Sequence, residues 1–439
     1  PRRFMRMWSD WKAATGYVDF TDLLERGLEE LDTCPGQPAV LMADEAQDMS
    51  ALEFALLRGW AEHVDQLVTV GDQDQALYSW RGSDPSAFTD APAATVDTLS
   101  RSWRVPRAVH AYAVDWIQQI PGREPTVYLP RLTDEAITRV DAGKASANDP
   151  TLPVAEGSVV RAPYRCEQPA AMIDELTDLA RTETVMVLAT CSYMLLPLIR
   201  ALRERGVPFH NPWRLENGAW NPLAGAGRLL NYLRPDTDTY GPEARLWTWP
   251  EVSSWAEPLT AKGTTRRGAK QVIENQAHPD RFEKAAQRKG HAVADPVDLA
   301  KLAALFEDDA AYRITDVGTD TPTAVDWWFE HVRASRRSSL DYSVQVYRKH
   351  GGAALRARPN LTIGTIHSAK GAEADHVFVF PDISRAAYWG GWDRPGPGRD
   401  AITRQFYVAY TRAREGLHLC RPSGQEYVRF PKPKEADDR

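Results

Sequence analysis

Short apolar runs alternate along this chain with stretches in which apolar residues recur at helical spacing. Val40-Leu41-Met42-Ala43 and Gln66-Leu67-Val68-Thr69-Val70 read as strands, as do Val185–Ala189, Leu361–Ile366 and Val377–Phe380. Runs without polar alternation suit parallel strands covered on both faces. Between the first two, Ser50 and Glu53 form a capping box ahead of Leu52, Ala55, Leu56 and Trp60, which predicts a helix with one buried face. Strand, helix and strand make a right-handed unit with both strand ends on one rim, so the loop Gly71–Gln75 is expected beside Asp44 and Glu45. Upstream, Leu23, Leu24, Leu28 and Leu31 predict a helix closed by Cys34-Pro35-Gly36.

The pattern restarts near Leu99. Pro106, Val109, Ala113, Ile117 and Ile120 predict a helix, and Leu195, Leu196, Ile199 and Leu202 another, stopped by Gly206; this is the signature of a second α/β unit. From about Pro212 to Leu355 strand signals thin out and tryptophans scatter among helical spacings, as in an inserted, mostly helical module. A last helix is expected from about Ile402 to Glu415, capped by Gly416, before a strand Leu417–Cys420.

Composition narrows the class without choosing a function. The 439 residues exceed one ordinary core, so about three structural units are expected. Hydrophobic content of 43% and charged content of 26% are those of a globular protein. The chain has no apolar stretch of membrane-spanning length and no signal-like start, which gives the expectation of a cytoplasmic protein. Cys34, Cys166, Cys191 and Cys420 lie far apart and match no zinc spacing. A net charge of −7 argues against indiscriminate coating of nucleic acid but leaves room for a local basic groove.

The chemistry begins where the first strand ends, in Asp44-Glu45-Ala46-Gln47-Asp48. Ligands of α/β sheets gather at the carboxyl ends of strands. Two adjacent acids there suit nucleotide hydrolysis, one holding Mg²⁺ and the other taking a proton from water; a helix N-terminus flanked by acids is the plainer alternative. Gln75 brings a carboxamide near those acids. Tyr78 and Trp80, one residue apart on an extended loop, would stack on bases at about 1–3 kcal/mol each, or else fill the core. Arg104 and Arg412 are candidates for guanidinium donors to a transferring phosphoryl group. The loop Thr365-Ile366-His367-Ser368-Ala369-Lys370-Gly371 offers hydroxyls and amides to phosphate oxygens. Lys262–Lys270 is basic but fails the phosphate-loop pattern, since Ala269 precedes Lys270 and Gln271 follows it; it reads as a solvated loop or a nonspecific duplex contact.

Six segments in this order resemble the UvrD/Rep family of superfamily one DNA helicases. They are Tyr17–Leu24, Asp44–Asp48, Val70–Gly82, Leu99–Arg104, Thr365–Glu373 and Tyr407–Arg414. The resemblance implies an α/β fold of two RecA-like, P-loop NTPase-type domains, the first truncated at its N-terminus and the second interrupted by the helical insertion. The corresponding divisions are 1–95, then 96–211 with 356–425, the insertion 212–355, and a tail 426–439. It also implies ATP and Mg²⁺ as cofactors, with Asp44 on the metal, Glu45 activating water, and Gln75, Arg104 and Arg412 on the γ-phosphate. Trp103 would lie against adenine where the family usually has tyrosine, with Gly371 and Glu373 in the nucleotide site. Tyr78, Trp80, Thr365 and His367 would meet single-stranded DNA. DNA, together with loading or repair proteins, would be the partner, and polarity would be 3′ to 5′.

One part of the family's machinery is not found. Only 43 residues precede Asp44, and none forms a phosphate loop. The expectation is therefore the C-terminal portion of a helicase, inactive as an ATPase by itself. The alternative is a naturally shortened, non-hydrolysing nucleic-acid-binding or regulatory subunit.

Overall fold

The computed structural model describes residues 2–83, 85–123, 125–216, 218–233, 247–278, 297–314 and 320–433. It is a mixed α/β protein whose strands lie in two parallel sheets. Strands β1 (Val40–Ala43) and β2 (Gln66–Thr69) pair in parallel, Val40 opposite Gln66 through Ala43 opposite Thr69. The helix between them, Ala51–Ala61, starts at the expected box: Ser50 caps it, and Glu53 bonds back to the Ser50 amide at 2.7 Å. The upstream helix, Phe20–Glu29, has a second box built by Asp19 and Asp22. It ends before Leu31, whose side chain packs instead on Gly59 of the Ala51–Ala61 helix.

The second sheet has five strands in the order β3-β7-β6-β4-β5. These are β3 (Ser158–Arg161), β4 (Val185–Ala189), β5 (Leu361–Thr365), β6 (Ala374–Val379) and β7 (Ala413–Leu419). All neighbours are parallel, so their carboxyl ends form one rim. One face is covered by the helices Arg107–Ile117 and Pro397–Tyr410 through Trp116, Ile117, Phe406 and Tyr410. The other carries Met172–Leu179 and Leu196–Glu204, and its core continues into the insertion through Phe209, Tyr232, Trp255, Phe306 and Trp328. Among the described residues of 212–355 the regular elements are helices, from Gly227–Leu233 to Ala334–Arg356, as the spacing predicts.

Three expectations require correction. The strand β1 is not covered on both faces. Leu41 and Ala43 pack toward Phe54 and Leu57, but Val40 is 46% exposed and Met42 69%, since alternate side chains point to the opposite face and the described residues leave that face open. The last helix runs Pro397–Tyr410 rather than to Glu415, and Gly416 does not cap it. Gly416 lies inside β7, opposite Ser158 and His376, where a Cβ would come within 2.5 Å of His376 Nδ1; the glycine serves a close cross-strand approach rather than a helix stop. Finally, the Lys262–Lys270 stretch is not simply solvated. Thr264 and Thr265 are buried, and Lys270 donates to the carbonyls of Glu257 and Leu259.

Candidate nucleotide and nucleic-acid site

At the end of β1 the backbone turns sharply. Glu45 takes a left-handed conformation, φ 52° and ψ 35°, which costs a non-glycine residue of order 1 kcal/mol or more. The turn is held from both sides: Asp44 Oδ1 accepts from the Glu45 amide at 2.8 Å, and Gln47 Nε2 donates to Glu45 Oε2 at 2.5 Å. Gln47 is fully buried, and its Oε1 accepts from the Asp72 amide at 2.9 Å. That contact needs the adjacent Gly71, since a Cβ there would stand 2.4 Å from Gln47 Oε1. The loop after β2 therefore lies against the acids, as the strand-helix-strand reading anticipates.

Residues from the far end of the chain meet these acids. Lys370 Nζ lies 2.9 Å from Glu45 Oε2 and also pairs with Asp48. Gln75 donates through Nε2 to Asp72 Oδ2 at 2.8 Å, and its Oε1 accepts from Arg412 Nη2 at 3.1 Å. Arg123 grips the buried carboxylate of Asp74 at 2.6–2.9 Å. Arg404 donates to the Gln73 carbonyl at 3.1 Å. Sequence separations of 322 and 337 residues are closed at Lys370–Asp48 and Arg412–Gln75.

The electrostatics follow from this packing. Burial raises the Glu45 carboxyl, but Lys370 and Gln47 outweigh it, and the group ends below the ordinary glutamate value. Asp72 goes the other way, raised by burial and by neighbouring Asp74. Arg412 is 1% exposed; desolvation, with Arg104 adding like-charge repulsion, pulls its guanidinium down to about 10, where it still carries its charge at neutral pH. Its Nε donates to the Val408 carbonyl at 2.9 Å, which fixes its direction.

A second group adjoins the first. Glu373 lies between Arg104 Nε at 2.8 Å and Arg414 Nη1 at 2.6 Å; although burial opposes them, these two cations hold its carboxyl below the usual range. Arg412 Nη1 reaches the Ala372 carbonyl at 3.4 Å, tying the two groups together. Trp103 is half exposed beside Arg104, and Gly371 has φ +79° with open space where a Cβ would be.

The aromatic residues divide. Tyr78 precedes and Trp80 lies within a 3₁₀ turn, Ser79–Arg81, rather than an extended loop, and their rings stand 6.4 Å apart at 59°. Trp80 is 73% exposed. Tyr78 is half-buried, 6.2 Å from the His367 ring and 5.8 Å from Lys370 Nζ, so it both fills space and borders the seam. His367 Nδ1 lies 3.1 Å from Gln405 Nε2, and burial lowers its affinity for a proton. The Thr365 hydroxyl is spent within its own loop, 3.1 Å from Ser368 Oγ and 3.3 Å from the Ser368 amide.

Glu45, Gln75, Tyr78, Arg104, His367, Glu373 and Arg412 thus gather along one seam, whereas Trp80, Trp103, Thr365 and Gly371 make no hydrogen bond or ring contact across it among the described residues. Asp44 does not reach across it: the carboxylate is exposed and bonds within its own turn. Among the described residues no group of three or more His, Cys, Asp or Glu side chains is placed to hold a metal ion. A single exposed carboxylate suits Mg²⁺, which keeps water and takes phosphate oxygens rather than a protein cage. Lys370, Gln47, Asp48, Asp74 and Arg123 were not singled out by sequence reasoning. Lys370 and Asp48 stood inside segments already noted, and a lysine beside a polar loop was the available signal; nothing local marks Arg123.

Residues 4–94 match the family model described as the UvrD/REP helicase N-terminal domain. Over 119 residues the chain is 29% identical to the ATP-dependent DNA helicase PcrA of Bacillus subtilis and, at the same identity, to that of Staphylococcus aureus. Each alignment covers 25% of this chain and 16% of the relative. The similarity is therefore to a UvrD-type helicase, and the family match contains Asp44, Glu45, Gln75, Tyr78 and Trp80. No helix among the described residues is long and apolar enough to cross a membrane.

Proposed function

We propose that this chain forms the nucleotide-sensing seam and single-strand contacts of an ATP-dependent DNA helicase of UvrD/Rep type, moving 3′ to 5′, with residues 1–95 as part of one RecA-like motor domain. Residues 96–211 and 356–425 make the second motor domain, 212–355 its inserted subdomain and 426–439 a tail. The observation that carries this reading is the contact of Arg412 Nη2 with Gln75 Oε1 at 3.1 Å. A buried, charged guanidinium beside a carboxamide whose loop packs on the Asp44-Glu45 turn is what this reading requires.

In this reading Glu45 accepts a proton from the attacking water, and Gln75 orients that water. Arg412 and Arg104 stabilise charge on the transferred phosphoryl group, since planar guanidinium donors match its oxygens. Glu373 and Gly371 border the nucleotide together with Trp103, whose half-exposed ring offers a stacking face to a base. Mg²⁺ bound at Asp44 with the nucleotide would neutralise phosphate charge. Lys370 pairs with Glu45, so a phosphate group that draws on this lysine would compete with the ion pair. Trp80 supplies a stacking face for a base, Tyr78 backs it, and Thr365 and His367 line the strand's path.

The 439 residues contain no Gly-x-x-x-x-Gly-Lys-Ser/Thr loop, and the amides and lysine of such a loop are what hold the β- and γ-phosphates. Alone, the chain is expected to show no significant DNA-stimulated ATP hydrolysis. Joined to a polypeptide bearing that loop it should hydrolyse ATP, and Glu45→Gln should abolish the turnover. Turnover by the isolated chain that disappears in Glu45→Gln, or no turnover in the joined protein, would overturn the assignment.

A further inference from the structure

A cavity of about 850 Å³ opens on the rim formed by the carboxyl ends of β3, β7 and β6, lined by none of the residues that meet at the Arg412 seam. Its floor is apolar and closed: Trp116, Leu419 and Phe430 are each less than a tenth exposed. Its wall is cationic. Among the described residues, Arg161, Arg421, Arg429 and Lys432 line it against one carboxylate, Asp115, in a chain whose net charge is −7. All four cationic residues are exposed. Arg161 is oriented by an Nη2 bond to the Phe430 carbonyl at 3.1 Å, which leaves the other three side chains as the adaptable part of the wall.

We infer that this cavity is a second contact site for single-stranded nucleic acid, holding two or more backbone phosphates over a floor that accepts sugar and base. The inference rests on the DNA-dependent reading above and extends it to a surface outside the aligned motifs. Three features favour a strand. A cleft of one charge sign over low-dielectric walls concentrates anions. The apolar floor has no use for inorganic phosphate but matches a nucleoside. Because every strand of the sheet is parallel, the cavity shares its rim with Thr365 at the end of β5, three strand positions from β7 and so ~14 Å away. One continuous strand can therefore pass from the Thr365 loop to the cationic wall.

The test is fluorescence anisotropy of a labelled oligothymidylate over a range of salt concentrations, with the whole chain and a combined Arg421→Ala, Arg429→Ala, Lys432→Ala variant. The three side chains are exposed, so the variant should keep the parent's circular dichroism and thermal transition. Each lost phosphate contact on a single strand lowers the log–log salt slope by about 0.7. The variant should therefore bind at least tenfold more weakly at low salt, with a slope shallower by about 2. Trp80→Ala should weaken binding without changing the slope. If the parent and Trp80→Ala behave as stated while the triple variant keeps the parent's affinity and slope, this inference falls and the motor reading stands. If the parent binds no oligothymidylate, both fall. Thymidine monophosphate binding as tightly as the oligonucleotide would overturn the strand in favour of a mononucleotide site.

Discussion

The strands β1 and β4 carry almost the same kind of sequence, Val-Leu-Met-Ala and Val-Met-Val-Leu-Ala, yet they end in opposite environments. Every residue of β4 is buried, with β5 on one side, β6 on the other and helices on both faces. In β1 the outward residues Val40 and Met42 are exposed. Burial of an apolar strand is set by how many neighbours the rest of the chain brings to it, and an apolar run reports only the capacity to be buried. The difference also separates two tasks. The segments flanking β5, β6 and β7 of the five-stranded sheet carry Lys370, Glu373 and Arg412, and the acids at the end of β1 meet them through ion pairs and hydrogen bonds.

The sharpest way to break the comparison is to remove packing from the closed sheet. Phe378 is fully buried on β6 and stacks on His418 with ring centroids 4.0 Å apart. Phe378→Ala should cost about 3–5 kcal/mol, read as a lowered midpoint in urea unfolding. A loss under about 1 kcal/mol would mean that this sheet is no better packed than β1. The seam comes next. Arg123→Ala strips the buried carboxylate of Asp74 of its partner, and leaving such a charge uncompensated should cost about 3 kcal/mol. Because Asp74 and Arg123 lie on opposite sides of the seam, Asp74→Asn combined with Arg123→Ala should recover part of that loss in a double-mutant cycle.

A smaller effect is expected from the ion pair at Glu45. Its carboxyl titrates below the ordinary value of 4.5 in the folded protein, so its contribution to stability is full above that unfolded value and is lost as pH falls through the lower folded one. Glu373, also lowered, acts in the same direction. Both groups are partly exposed, so solvent screens the gain. Lys370→Ala removes the largest interaction favouring the Glu45 anion. The variant should therefore be less stable than the parent near neutral pH and lose less stability on acidification, the two curves converging as pH falls through the lowered Glu45 value; an unchanged acid limb would dissociate Lys370 from Glu45.

What the sequence revealed and what it hid follow the same division. Local signals were legible: the Ser50 and Glu53 box, the strand-helix-strand step that puts Asp72 beside Gln47, and the order of motifs that meet at Gln75, Arg104, Glu373 and Arg412. Helix and strand limits near Gly416 were misread because a glycine after helical spacing signals a stop equally well as a close strand approach. The Asp74–Arg123 pair was invisible, since a lone arginine carries no mark of the carboxylate it meets across 49 residues. The extended loop assigned to Tyr78 and Trp80 gave way to a turn, because nothing local in Ser79 distinguishes the two.

The smallest predicted effect tests β1 itself. Met42 lies on the open face, 69% exposed, whereas Leu41 beside it packs with Phe54 and Leu57. Met42→Ser removes apolar surface that the described residues do not cover, so stability of this chain should change by no more than about 0.5 kcal/mol. Leu41→Ala, one residue away on the packed face, should cost distinctly more, because it deletes contacts and leaves a void. Measured together in urea, the two substitutions resolve the two faces of a single strand. If Met42→Ser costs as much as Leu41→Ala, then something covers the outer face of β1 in solution, and the contrast between the open and the closed sheet disappears.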